Sequence, residues 1–163
     1  MEHKVTDLAY LAGIVDGEGC ITITENMKGG RNYYRLVLDI TNTSYDLMQW
    51  LEDTFSHTIR TSYYRSTNRT DMYGWTASGN QAQDLLRLIL PYLIIKKPQA
   101  EIALEMNIAP YGGGSNHSYS ADEEEWRKCL CNDIHRMNKR NGNKGSYIRS
   151  PNYTQKEVNA PSR

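Results

Sequence analysis

The chain is 163 residues long, enough for one full core and too short for a secure division into two. Its hydrophobic residues, 39% of the total, fall in short clusters. None approaches the roughly 20 residues of a membrane span, since LRLILPYLII is interrupted by Arg87 and Pro91, so no membrane partner is expected. Lys and Arg (19) balance Asp and Glu (19), so net charge alone argues against a nucleic-acid partner, while the distribution does not.

The opening MEHKVTD has neither a signal peptide's basic-then-apolar order nor a transit peptide's Arg and Ser richness. The first helix is expected from a cap at Thr6 or Asp7 to Gly17. Leu8, Leu11, Ala12 and Val15 recur at i, i+3, i+4 and i+7 and predict a core-facing stripe. Ala9, Gly13 and Gly17 fall on another face as a groove of small residues. Glycine inside a helix costs about 0.8–1.0 kcal/mol relative to alanine, so Gly13 needs a packing reason. Two reasons fit: close approach of another helix, or packing beneath a sheet residue of its own fold. Asp16 and Glu18 then stand at the helix C-terminus, where an anion is unfavourable by roughly 0.3–1 kcal/mol. A cation from elsewhere would resolve the conflict.

CITITE alternates as a strand, KGGRN reads as a turn, and RNYYRLVLDIT as a longer strand. Its parity separates Tyr34, Leu36, Leu38 and Ile40 from Arg31, Tyr33, Arg35, Val37, Asp39 and Thr41. The second face is either solvated or suited to base edges, and the strand alone favours solvation. TSYDLMQWLEDTF, capped by Ser44 or Thr43, is a second helix. TIRTSYYRS and MYGWTAS form a hairpin around TNRTD whose register stays open. Tyr73 and Trp75 would fill a core better than Met72, Gly74 and Thr76. NQAQDLLRLILPYL is a third helix stopped by Pro91, and Pro98 suits the first turn of PQAEIALEMNIA. After the loop YGGGSNHS, a helix from Ala121 to Met137 starts with Asp122 to Glu125.

The order is α+β, αββαββα with extra C-terminal helices: one domain over 1–140, then a polar, basic tail over 141–163 that is ordered only on binding. No second copy of the opening motif occurs, so any internal symmetry needs a second chain. Arg136, Lys139, Arg140, Lys144 and Arg149 follow one another without an acid, and Arg60, Arg65 and Arg69 lie in another acid-poor stretch. Cys20, Cys129 and Cys131 are sparse; the last two with His135 make at most half a zinc site. Idle or buried thiols in a reducing intracellular compartment are the better reading, whether bacterial or phage cytoplasm or an organelle.

LAGIVDGEG, Leu11 to Gly19, resembles the signature of the LAGLIDADG homing endonucleases, in their single-motif kind. DITNTSYDLMQWL, LPYLIIKKPQAEIALEM and the helix ending in IHRMN are similar to further segments of that family, in order and at compatible spacing. The resemblance implies site-specific cleavage of double-stranded DNA by a homodimer, at a long pseudo-palindromic site, leaving short 3′ overhangs. It implies Mg²⁺ as cofactor, with Mn²⁺ substituting and Ca²⁺ binding without supporting cleavage, and no organic cofactor. Glu18 matches the family's metal ligand, assisted by the carbonyl of Gly17, and Glu in place of Asp keeps the carboxylate. Ala9, Gly13, Asp16 and Gly17 match the dimer interface, with Asp16 accepting hydrogen bonds from the partner's backbone.

Lys96 matches the lysine near the scissile phosphate, with Lys97 as its neighbouring alternative, and Asn42 matches the amide that organises water. Asn42 stands where related proteins often carry the longer glutamine. Two-stranded ribbons are implied to present Thr22, Thr24, Asn26, Arg31, Tyr33, Arg35, Val37 and Asp39 to DNA, with Arg60, Ser62, Arg65 and Arg69 from the second hairpin. Arg136, Lys139, Arg140 and Lys144 would contact phosphates. Two rival readings remain: a non-cleaving relative, such as an intron maturase or transcription regulator, and an α+β domain unrelated to nucleic acid.

Overall fold

Helix α1 spans Val5–Glu18 and buries Leu8, Leu11, Ala12 and Val15, as their spacing predicts. The computed structural model describes residues 3–56, 59–62, 72–106 and 119–139, except the side chains of 28, 31 and 59–62. Neither Thr6 nor Asp7 is the cap. That position is Lys4, which makes no side-chain cap bond, and Asp7 lies in the first turn, where the helix dipole favours an anion. At the other end the Gly19 N–H donates to the carbonyls of Ile14 and Val15. A Cβ on Gly19 would stand 2.7 Å from Val15 Cα and 2.9 Å from Val15 O. The chain therefore leaves the helix at a point with no room for a side chain. Gly19→Ala is expected to force the junction apart and destabilise the fold by about 1–3 kcal/mol, as overpacking does. Thermal melting checks it, and an unchanged Tm would contradict the contact.

Strands β1 (Gly19–Lys28) and β2 (Arg31–Asn42) pair antiparallel around Gly29 and Gly30. Both glycines have positive φ, +60° and +75°, as a two-residue primed turn requires. Strands β3 (Ile59–Ser62) and β4 (Met72–Ser78) form the second hairpin. The two ribbons are not separate. β2 also pairs with β4, from Val37 opposite Ser78 to Asn42 opposite Tyr73, giving one sheet of order β1-β2-β4-β3. The length of β2 makes this possible, since it pairs with β1 from Arg31 to Ile40 and with β4 from Val37 to Asn42.

One face of the sheet is core: Ile21, Ile23, Tyr34, Leu36, Leu38, Ile40, Trp75 and Ala77 are buried. Trp75 thereby fixes the register of the second hairpin, with Tyr73 only partly buried on the same side. Helices cover this face. α2 (Tyr45–Phe55) starts at Ser44, whose Oγ accepts the Leu47 N–H at 3.3 Å. α3 (Asn80–Ile89) ends before Pro91, which lies in a 3₁₀ turn over Leu90–Tyr92 instead of terminating a longer helix. α4 (Lys97–Glu105) carries Pro98 in its first turn, where no N–H is missed.

Helix α5 (Ala121–Asn138) begins at Ser120, whose Oγ accepts from Glu123 N–H, with Asp122, Glu123 and Glu124 in the first turn. It covers the edge strand β1. Asn138 Nδ2 donates to Ile21 O at 2.8 Å, and the Cys131 thiol donates to Ile23 O at 3.0 Å. These bonds satisfy carbonyls that an edge strand otherwise offers to any passing chain. Cys131 is thus a buried structural thiol, and no cluster of three or more potential metal ligands occurs among the described residues. The loop 111–118 and the tail 141–163 lie outside the described residues.

Candidate catalytic site and nucleic-acid interface

The conflict at the end of α1 is resolved by residues 94–96. The Asp16 carboxylate accepts the backbone N–H of Ile94 at 2.8 Å, of Ile95 at 3.1 Å and of Lys96 at 2.8 Å. In return, the Lys96 ammonium donates to the carbonyls of Val15 at 2.8 Å and Asp16 at 2.7 Å. A cation brought from a distant part of the chain therefore sits where the helix dipole is negative. Burial works to raise the Asp16 pKa, but the N–H donors of Lys96, Ile94 and Ile95, with the Lys96 charge, hold it below the ordinary carboxylate range. Three backbone donors to Asp16 thus come from its own chain, where the resemblance implies donors from a partner's backbone. These three bonds form within one subunit because residues 94–96 pass directly beside the helix end.

Glu18, two residues on, is exposed and ends the helix. Gly17 is exposed as well, and its carbonyl belongs to the last turn, where helical carbonyls lack intrahelical partners. Asn42 ends β2, two residues beyond the Gly19–Ile40 pair, so the register carries it to the same end of the sheet. Its Oδ1 accepts the Ser44 N–H at 2.9 Å, which leaves the amide NH₂ as the group it can turn to solvent. The sequence-predicted Glu18, Lys96 and Asn42 thus gather at one end of the sheet, although they lie far apart in the chain. Lys97 is exposed at the start of α4.

The groove of small residues is open. Ala9, Gly13 and Gly17 are all exposed, and a Cβ on Gly13 or Gly17 would meet nothing within 4 Å among the described residues. Packing beneath the chain's own sheet is therefore not the reason for Gly13. Beside the groove, Ile94 and Ile95 are 84% and 69% exposed while their N–H groups are tied to Asp16.

The sheet face away from the core carries the polar residues expected there. Pairing aligns Thr22 with Val37, Thr24 with Arg35 and Asn26 with Tyr33, all partly or fully exposed. Asp39 lies between Cys20 on β1 and Thr76 on β4, and the Thr76 hydroxyl donates to the Asp39 carboxylate. The Cys20 thiol pKa is raised by burial and by Asp39, with Lys96 acting in the opposite direction. Arg31 pairs with Lys28, and Arg60 and Ser62 pair with Gly74 and Met72.

The chain matches the LAGLIDADG endonuclease description over residues 11–101, more than half its length. The chain belongs to the LAGLIDADG endonuclease family. No curated protein matches it. Among solved structures, the homing endonuclease I-CvuI, crystallised on the I-CreI target with Mg and the DNA not cleaved, is 21% identical with a TM-score of 0.65, covering 86% of each chain. An archaeal intron-encoded homing endonuclease complexed with DNA is 15% identical with a TM-score of 0.60, over 87% of this chain and 90% of its own. I-GzeII, complexed with its DNA target, is 16% identical with a TM-score of 0.55, over 79% of this chain and 43% of its own. At these identities the likeness establishes the fold.

Several features of this LAGLIDADG chain escaped the sequence. Ile94 and Ile95 close the apolar run LRLILPYLII, and nothing local marks them as exposed. The pairing of Asp16 with residues 94–96 spans nearly half the chain and leaves no periodic trace. Arg136 is exposed with Asp133 at 3.7 Å, and Lys139 is exposed just past α5. The Asn138 bond to β1 brings that end of α5 to the start of the polar face. Arg65, Arg69, Arg140 and Lys144 lie outside the described residues.

Proposed function

We propose that the chain is one subunit of a homodimeric homing endonuclease that hydrolyses both strands of a long, nearly palindromic DNA site and leaves short 3′ overhangs. The observation that carries this reading is the meeting of an exposed Glu18 with the anchored Lys96 at the end of a polar sheet face. Glu18 and the Gly17 carbonyl are oxygen donors, the kind Mg²⁺ prefers. Two such donors per chain fall short of a full coordination set, which fits a site completed by DNA phosphate and by the second subunit. Mn²⁺ is expected to substitute and Ca²⁺ to bind without supporting cleavage. When bound, the metal supplies an acidified water and charge stabilisation.

The chain's own groups do the rest. Lys96 sets a positive charge beside the developing phosphate charge. Asn42 turns an N–H donor towards solvent at the same end. Asp16 keeps the backbone of residues 94–96, and so Lys96, in register with α1. Thr22, Thr24, Asn26, Tyr33, Arg35 and Asp39 face the major groove, while Arg136 and Lys139 hold phosphates.

The open groove of Ala9, Gly13 and Gly17, flanked by exposed Ile94 and Ile95, supports a second α1 as the partner. Gly13→Leu is expected to leave secondary structure intact, because a Cβ there meets nothing within 4 Å among the described residues, and to leave a monomer that no longer cuts. Analytical ultracentrifugation with circular dichroism reads both, and a cutting Gly13→Leu dimer would refute this contact. The function itself is tested by selecting cut sites from a randomised DNA library with Mg²⁺, wild type against Glu18→Gln. A site that is bound and never cut by wild type would mark a maturase or regulator instead.

A further inference from the structure

We infer that Arg35 selects a guanine in each half of the DNA target, midway between the cleaved centre and the outer end of the β1–β2 contact. The inference rests on the proposed DNA-cutting function and adds a base identity and a location to it. Arg35 is exposed on the polar face, with Thr24 of β1 as its cross-strand partner. Among the described residues its guanidinium enters no ion pair and no hydrogen bond. Glu25, the carboxylate next to Thr24, turns to the opposite face, where it accepts the Tyr34 hydroxyl at 3.0 Å. The flanking rows, Thr22–Val37 and Asn26–Tyr33, carry no carboxylate to draw the guanidinium away. Nor does the cation serve to guard a bare sheet edge, since α5 already covers β1.

The other polar side chain of this row is engaged within the sheet. The Thr24 hydroxyl donates to the Arg35 carbonyl at 3.2 Å and accepts from Asn26 Nδ2 at 3.2 Å. A hydroxyl carries one proton, so Thr24 has none left for a base. The row therefore offers DNA a planar fork of N–H donors with no acceptor. The base that fits it has two acceptors and no donor on its major-groove edge. Guanine alone meets that description, through O6 and N7. Adenine sets an amino donor at N6 beside N7, cytosine presents a donor at N4, and thymine has a single acceptor, O4, next to its methyl group.

Location follows from the pairing. The ladder runs from Gly19–Ile40, beside Glu18, to Lys28–Arg31 at the turn, and Thr24–Arg35 stands near its middle. From Gly19 to Thr24 the strand covers about 17 Å at roughly 3.4 Å per residue, or about five base pairs at roughly 3.4 Å per step. Phosphates flank a groove and base edges floor it, so a guanidinium rising from mid-ladder meets bases before backbone. The second subunit repeats the contact in the opposite half.

The experiment selects bound duplexes from a randomised library, without requiring cleavage, for wild type, Arg35→Gln and Arg35→Ala, and follows binding of the selected duplex with salt. Both variants keep the Thr24 bond, which uses the backbone carbonyl of residue 35. Wild type is expected to prefer guanine at one middle position of each half-site by at least about fivefold. Arg35→Gln should move the preference at that position alone to adenine, which glutamine reads through N6 and N7. Arg35→Ala should abolish it, with the other positions unchanged in both. An Arg35→Ala protein that binds every duplex more weakly by the same factor, with a salt slope lower by about one, marks a phosphate contact and overturns the base assignment. An Arg35→Gln profile identical to wild type overturns it as well, and either result leaves the DNA-binding function standing. A wild-type protein that retains no duplex at low salt overturns both.

Discussion

Glu18→Gln is expected to bind the selected target and cut it at least roughly 10²–10³-fold more slowly, the scale of losing one charge-stabilising group in a reaction of this kind. The substitution keeps size and removes charge. Since Glu18 is exposed at the helix end, no packing is lost and Tm should hold within the small range of surface changes, about 0.5 kcal/mol. Binding without metal should be equal or tighter, because an anion facing phosphate has been removed. This opposite movement of binding and cleavage separates a catalytic role from a structural one. Glu18→Asp restores the carboxylate on a shorter arm and is expected to recover most of the rate. Single-turnover cleavage with titrated Mg²⁺, beside filter binding in its absence, reads all three proteins. A Glu18→Gln variant that cuts like wild type would remove Glu18 from the mechanism.

What sequence patterns reveal here are relations between neighbours. Leu8, Leu11, Ala12 and Val15 are one turn apart, and alternate residues of β2 point to opposite faces, so core and polar face follow from spacing. Ser44 and Ser120 accept from N–H groups three residues away, and Ser44 is one of the two caps expected for α2. The relations that assemble the site are long-range. The β2–β4 pairing joins hairpins that look independent, because each satisfies its own turn and parity. Asp16 and Lys96 each look like a helix-end residue of unclear purpose until residues 94–96 arrive beside α1. Gly19 differs: its contact is with Val15, only four residues away, yet the pattern does not mark it because its φ of −76° suits any residue. Family resemblance could point to Glu18, Lys96 and Asn42 without the fold, since it carries long-range information that periodicity lacks. It could not give the donors of Asp16, which here belong to the same subunit.

Removing the Asp16 carboxylate should reach both stability and activity through one segment. Asp16→Ala leaves the N–H groups of Ile94, Ile95 and Lys96 without their acceptor and frees the loop that carries Lys96. Hydrogen bonds to charged groups contribute about 1.5–3 kcal/mol each when sheltered. Water reaches this partly exposed site and can replace part of what is lost, so a total of about 2–4 kcal/mol is expected rather than the full sum. Asp16→Asn keeps an acceptor oxygen and should lose less. The pH dependence has a definite sign. Because the folded-state pKa of Asp16 lies below its unfolded value, its contribution is fully present above the ordinary Asp pKa of about 3.9 and fades as pH falls through the lower folded value. The Tm gap between wild type and Asp16→Asn should therefore be constant at neutral pH and narrow in acid. Cleavage by Asp16→Asn should fall at saturating DNA, since one acceptor oxygen of the anchor for residues 94–96 becomes a donor while the groove-facing sheet is untouched. A variant with unchanged Tm and unchanged cleavage would show that Lys96, through its bonds to Val15 and Asp16 carbonyls, holds the segment without help from the carboxylate.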